Sequence, residues 1–430
     1  MKKKISFSFI VFHLFFAALV ACADGEQPVT YSNPVIDRSL PDPTVIRAND
    51  GYFYLYATED THNVPIYRSA DLVKWRYMGT AFTDATRPMD MVPDGGIWAP
   101  DIVCLDGKYL LYYSKSTWGG SWEAGIGVAV SSRPNGGFSN AHKLFVSKEI
   151  GIENCIDPFF IQDDDGRNYL FFGSFHDIYG IELTADGLQV KEGAVPTKIA
   201  GGLIEATTIM KHDDYYYLIG STGTCCEGAN STYRLVMTRS KNLFGPYVDR
   251  YGRTAIGDNF SPLLNKSPYV YGPGHCSRFV TDDAGQTWML YHGYQADDVD
   301  GGRKVYLDKI TWARDGWPQV QGMRPSTEAA APLFGEAAST LDVQRSMFCP
   351  QGRRACIALS VPTTSPSAGS SSMPLATCCR AATAARRPSS THRPARAASI
   401  CCASTPPTAC SSRSCANERL LIKDNKTCRW

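Results

Sequence analysis

"PDPTVIRANDGYFYLYAT", Pro41–Thr58, joins an Asn-Asp-Gly turn to a run of aromatic and aliphatic residues. Such runs prefer strands, and a Gly-bearing turn in front of one is a hairpin signal. The same turn and run return as "DGKYLLYYS" (Asp106–Ser114), "DGRNYLFFGS" (Asp165–Ser174), "HDDYYYLIGST" (His212–Thr222) and "DAGQTWMLYHG" (Asp283–Gly293). After each copy comes a second strand-like stretch with small or polar residues, such as "IYRSADLVKW" and "IGVAVSSRPNGGF". No helical period of comparable length competes. Five self-similar units between Asn33 and Pro318 predict an all-β fold, a five-bladed β-propeller with one four-stranded sheet per blade. A sandwich would also alternate strands and turns, but would not repeat itself five times.

The flanks of this region have a different character. Lys2, Lys3 and Lys4 followed by "ISFSFIVFHLFFAALVA" read as an export signal, too short for a spanning helix. It ends at Cys22 in "LVAC", which is similar to a bacterial lipobox; an ordinary cleaved signal is the plainer alternative. Lipidation of Cys22 would tether an exported protein to a membrane, in the periplasm or at the outer membrane and cell surface. The expected organisation is residues 1–22 as lipoprotein-type signal, 23–325 as propeller and 326–430 as linker and anomalous tail. From Arg345 onward there is no Tyr, but nine of the 15 cysteines and much Ala, Arg, Ser and Pro. That tail reads either as a disordered Cys-rich extension or, better, as an out-of-frame translation product.

The 430 residues carry 43 Lys+Arg against 42 Asp+Glu, so no single-sign field points to a nucleic-acid partner. Aromatic residues make up 11% of the chain, which suits both a β-rich core and sugar handling. No paired C-x-x-C metal spacing occurs, and the adjacent Cys225 and Cys226 are expected as buried thiols.

In a propeller the innermost strands converge on the axis, and the residues that open them face one mouth. Asp42 in "LPDPTV", Asp157 in "NCIDPFF" and Glu205 in "GLIEATTI" open the first, third and fourth units. An acid in such apolar company is costly unless it is paired or functional. Asp-Pro is also a common turn former, yet three acids at one repeat position exceed what turns require.

Six stretches together resemble family 43 glycoside hydrolases: "PDPTVIRANDGYFYLYAT", "IWAPDI", "IDPFFIQDDDGRNYLFFGS", "IEATTIMKHDDYYYLIGS", "YGPGHCSRF" and "DGWP". The resemblance spans residues 31–325. It implies a five-bladed propeller that cleaves arabinose- or xylose-containing polysaccharides. It further implies Asp42 as general base, Glu205 as general acid, and Asp157 as the residue that tunes and orients the acid. An inverting hydrolase of this kind needs an acid and a base about 6.5–9.5 Å apart, with room for a water between them. Burial of Glu205 and repulsion from Asp157 would keep its proton, while the two prolines would hold Asp42 still.

Trp98 and Asp101 of "IWAPDI" are expected as a sugar platform and a hydroxyl acceptor. Arg303 of "GGRKVYLDK" resembles the family's substrate-facing arginine. His275 of "GPGH" resembles a histidine beside a water-ringed axial metal, often Ca²⁺, that it would meet mainly through water. "GSTGTCCEGANSTYRLVMTRSKNLFGPYVD" (Gly220–Asp249) resembles arabinan-cleaving members, which favours α-1,5-linked L-arabinan from plant cell walls. Leu40-Pro41 stands where endo-acting members often carry His, so endo-arabinanase, exo-arabinofuranosidase and β-xylosidase activities all stay open. A non-catalytic glycan-binding propeller would have lost at least one of the three acids.

Overall fold

A computed structural model describes residues 28–335 of the chain. The export signal with Cys22 and the anomalous tail beyond Arg345 lie outside the described residues.

The five repeats form five antiparallel sheets, each the blade of a propeller. The first blade holds Thr44–Arg47, Phe53–Tyr56, Pro65–Ser69 and Trp75–Thr80 in meander order. The second runs from Gly96–Leu105 to Ser139–Val146, the third from Phe159–Gln162 to Thr197–Ala200, and the fourth from Glu205–His212 to Ser261–Leu264. In the fifth, the inner edge is split into Val270–Gly274 and Val280–Thr281, which both pair with Thr287–Gln295. Every quoted aromatic run is the second strand of its blade. Asp106 and Gly107 both adopt positive φ (49° and 76°) between the paired Leu105 and Lys108, the two-residue turn whose twist matches a hairpin.

Core packing follows from that architecture. Each of five buried clusters lies between neighbouring blades: Tyr56, Phe82 and Tyr113 between the first and second, Phe160 and Phe172 between the second and third. Phe171 and Leu218, Tyr217 and Tyr291, and Phe53 with Leu290 fill the remaining three. Both faces of the aromatic strands are therefore covered, which explains runs such as "FYLY" with no polar alternation.

The ring closes through the N-terminal segment. Thr30–Ser32 pairs with Glu328–Ala330, Val35 N–H donates to Val305 O, and Leu40 N–H donates to Arg303 O. Residues after 325, expected as linker, thus carry the closing strand, and Leu333 N–H reaches Asp282 Oδ2. The same closure lays Leu40-Pro41-Asp42 beside Arg303.

Cys225 and Cys226 form a disulfide rather than buried thiols. Their loop lies at the surface, with Cys226 exposed, so no core shields the sulfurs.

Candidate active site

One residue per blade takes a left-handed backbone where the inner strand begins: Asp42 (φ 57°), Ala99 (41°), Asp157 (58°), Ala206 (57°) and His275 (47°). Such a kink costs about 1–2 kcal/mol for a residue with a Cβ, so tertiary contacts must hold each one. The kinks bring the side chains of Asp42, Asp157, Glu205 and His275 to one mouth.

Asp42 is the most heavily partnered of the acids. Its Oδ1 lies 3.1 Å from His275 Nδ1, 3.2 Å from His292 Nδ1 and 3.4 Å from Arg303 Nη1. Thr58 Oγ1 donates to Oδ2 at 2.6 Å. Burial by itself would raise the Asp42 pKa, but Arg303 and His275 more than reverse this and hold it well below the usual carboxylate range. His275 rises to about 8, because Asp42, Asp157 and Glu205 outweigh its desolvation. His292, fully buried, is pushed down to about 4 and stays neutral at pH 7.

Glu205 has a different environment. Ser174 Oγ donates to Oε2 at 2.7 Å and Tyr233 OH to Oε1 at 2.6 Å, and no cation pairs with the carboxyl among the described residues. Desolvation raises its pKa despite these two hydroxyls. Asp157 is raised too, first by burial and also by the neighbouring Glu205 and Asp42. The two carboxyls can share a single proton, and geometry favours Glu205 as its holder. Asp157 Oδ2 accepts from the Ala206 N–H at 3.0 Å, a partner that can only donate, whereas hydroxyls can turn to accept. One mouth thus holds one carboxyl whose surroundings favour the ionised form and another whose burial favours the protonated form.

Trp98 is half-buried, precedes the Ala99 kink, and meets the 81%-exposed Trp118 edge to face at 6.1 Å. Gly96 is obligatory beneath it, since a Cβ there would run into the indole. Arg303 faces Asp42, as described above. Asp101 departs from expectation. It is 3% exposed, and its carboxylate takes Thr44 Oγ1 (3.1 Å), Phe160 N–H (2.7 Å) and Arg278 Nη2 (2.5 Å). Its lone pairs are spent tying the second blade to the first, third and fifth, so it is a joint beneath the mouth rather than a hydroxyl acceptor.

His275 was expected near a metal, and its Nδ1 is turned to Asp42 instead. Among the described residues no three His, Cys, Asp or Glu side chains converge as direct metal ligands. A hard cation here would have to keep its water shell, with His275 meeting it through water.

Thr58, Ser174, Tyr233 and His292 were not foreseen. Thr58 and His292 share one signal: they sit at the same point of the repeat, in "LYAT" and "LYHG", where the aromatic strand returns to the axis, and Ser174 of "FFGS" lies one residue beyond that point, after Gly173. Tyr233 follows the disulfide loop, and its ring stacks on His292 at 5.6 Å.

Residues 31–318 match the family described as Glycosyl hydrolases family 43. The chain is 34% identical over 307 residues to the extracellular exo-α-(1→5)-L-arabinofuranosidase ArbA of Cellvibrio japonicus, a match covering 65% of this chain and 85% of that protein. It is 33% identical over 290 residues to the extracellular endo-α-(1→5)-L-arabinanase 1 of Bacillus subtilis, covering 65% and 87%. The solved structure of Cellvibrio cellulosa α-L-arabinanase complexed with arabinohexaose is 33% identical, with a TM-score of 0.61 over 66% of this chain and 95% of that one.

Proposed function

The chain belongs to the glycosyl hydrolases of family 43 and is a glycoside hydrolase, and from that premise we propose that it cleaves α-L-arabinosyl linkages of plant arabinan with inversion. One observation carries the reading: two carboxyl groups at one mouth have unlike surroundings that push their pKa values in opposite directions, Asp42 down and Glu205 up. Asp42, kept ionised, removes a proton from a water, and that water attacks the anomeric carbon. Glu205, kept protonated, gives its proton to the departing glycosidic oxygen, so no alkoxide has to leave. Asp157 fixes the Glu205 peptide and, as a neighbouring negative charge, disfavours early loss of the acid's proton. Trp98 covers the apolar face of a sugar ring, and Arg303 both sustains Asp42 and faces the substrate.

The arabinan assignment is supported by the similarity to arabinan-active relatives. A hydrated Ca²⁺ beside His275 is part of the proposal; when bound it would add positive charge at the axis, and no step requires it. Export with a lipid on Cys22 also belongs to the reading, and the names of the extracellular relatives support export. Absence of labelled fatty acid from the mature protein would reject the anchor.

The test is proton NMR of the first product formed from arabino-oligosaccharides, with product sizes from debranched arabinan. The β-anomer should appear before mutarotation. Initial α-anomer would overturn inversion, and release from xylo-oligosaccharides alone would overturn arabinan. A monomer- or single-length ladder marks exo action, and a spread of sizes marks endo action.

A further inference from the structure

Four of the five axial kinks are held by one device. The Ala99 N–H donates to Thr58 Oγ1 (2.7 Å), the Asp157 N–H to Ser114 Oγ (2.9 Å) and the His275 N–H to Ser221 Oγ (2.8 Å). The Asp42 N–H donates to His292 Nδ1 (3.0 Å). Each acceptor stands near the axial end of the second strand of the preceding blade. Gly173 occupies that place in the third blade and has no side chain to offer, and Ala206 carries the matching N–H in the fourth. There the pattern breaks: the Ala206 N–H goes to Asp157 Oδ2, and Ser174 Oγ turns to Glu205 Oε2.

We propose that Ser174, one residue beyond the latch place that Gly173 leaves without a side chain, is the positioning residue of the proton donor, while Asp157 supplies the backbone latch of the fourth blade. This rests on Glu205 being the general acid. The hydrogen bond of Asp157 goes to the peptide next to Glu205, so it fixes the backbone and leaves the carboxyl free to turn about its own side-chain bonds. Ser174 and Tyr233 grip the two oxygens separately. Each hydroxyl donates to a carboxylate and can accept from a carboxylic acid, so the grip survives proton transfer. The ionisable groups facing Glu205 are Asp157, Asp42, His275 and Tyr233. Among these the Ser174 hydroxyl is neutral, and it favours the ionised form of Glu205.

Ser174→Ala and Ser174→Thr test the assignment, since threonine keeps the hydroxyl that Ser174 donates to Glu205. On a natural arabino-oligosaccharide, Ser174→Ala should lower kcat about 10- to 100-fold with little change in KM, the loss of one hydrogen bond to an ionisable group. On an aryl arabino-oligosaccharide, whose leaving group departs without a proton, the loss should shrink to a few-fold. The basic limb of the kcat profile should move to higher pH, and Ser174→Thr should restore most of both. Equal losses on both substrates, or a lowered Tm with an unmoved basic limb, would overturn the proposal. Carboxyl titration by difference infrared, assigned with Glu205→Gln, reads the same shift without turnover. That second reading keeps Ser174 testable if the wild-type chain proves inactive on arabinan, an outcome that sinks the substrate assignment alone. An unshifted Glu205 titration in Ser174→Ala would overturn the Ser174 assignment by itself.

Discussion

Asp42 Oδ1 and His275 Nδ1 lie 3.1 Å apart, although the first and fifth blades carry them. The contact exists because the N-terminal segment closes the ring against the fifth blade and delivers Asp42 to a nest of Arg303, His275 and His292. The candidate base therefore depends on ring closure, while the candidate acid depends on the third and fourth blades.

Removing either reacting carboxyl should stop turnover without unfolding the protein. Asp42→Asn and Glu205→Gln should each lower kcat by about 10²–10⁴-fold. Circular dichroism and Tm should stay close to wild type. Near-wild-type kcat in either variant would dismiss its role.

Arg303→Met should move the acidic limb of the kcat/KM profile to higher pH. Burial raises the Asp42 pKa and Arg303 is the first charge that lowers it, so losing Arg303 lets burial act. The base then takes up its proton at a higher pH, and activity on the acid side is lost sooner. A lowered rate with an unmoved limb would assign Arg303 to substrate contact alone.

Asp101→Ala should destabilise the fold by about 3 kcal/mol or more, because it strands the Arg278 guanidinium and the Phe160 N–H. Urea unfolding measures it. A rise in KM with unchanged stability would restore the role of hydroxyl acceptor.

Trp98→Ala should raise KM about tenfold, as expected for losing an aromatic face worth roughly 1–1.5 kcal/mol, with a smaller change in kcat. Steady-state kinetics on arabino-oligosaccharides of increasing length would show whether the adjoining Trp118 extends that surface.

Chelation should lower activity several-fold, and Ca²⁺ should restore it better than Mg²⁺, which holds its waters in a stricter octahedron. Full activity after exhaustive chelation would leave His275 as a partner of Asp42 only.

Much of the fold was legible in the chain because the device that builds it is local. A turn, an aromatic strand and a second strand form one blade from neighbouring residues, and five copies announce their number. The acids were legible for the same reason, since Asp42 and Asp157 share one place in the repeat and in the fourth unit, where Ala206 fills that place, Glu205 stands directly before it. Asp101 misled because its "WAPD" context marks a position near the axis, and position alone does not separate a side chain facing the mouth from one facing the joint below it. The closing strand Glu328–Ala330 was missed because three residues carry no periodicity.

By itself, then, the sequence determined the blades, their count and which carboxyls open them. Only the tertiary structure decided what those carboxyls are. Asp42 becomes a base because Arg303, His275 and Thr58 arrive from other strands, and Glu205 becomes an acid because burial raises its pKa by more than the hydroxyls of Ser174 and Tyr233 lower it. Charge states depend on distance through space and on exclusion of water, and neither is written in the order of residues along the chain.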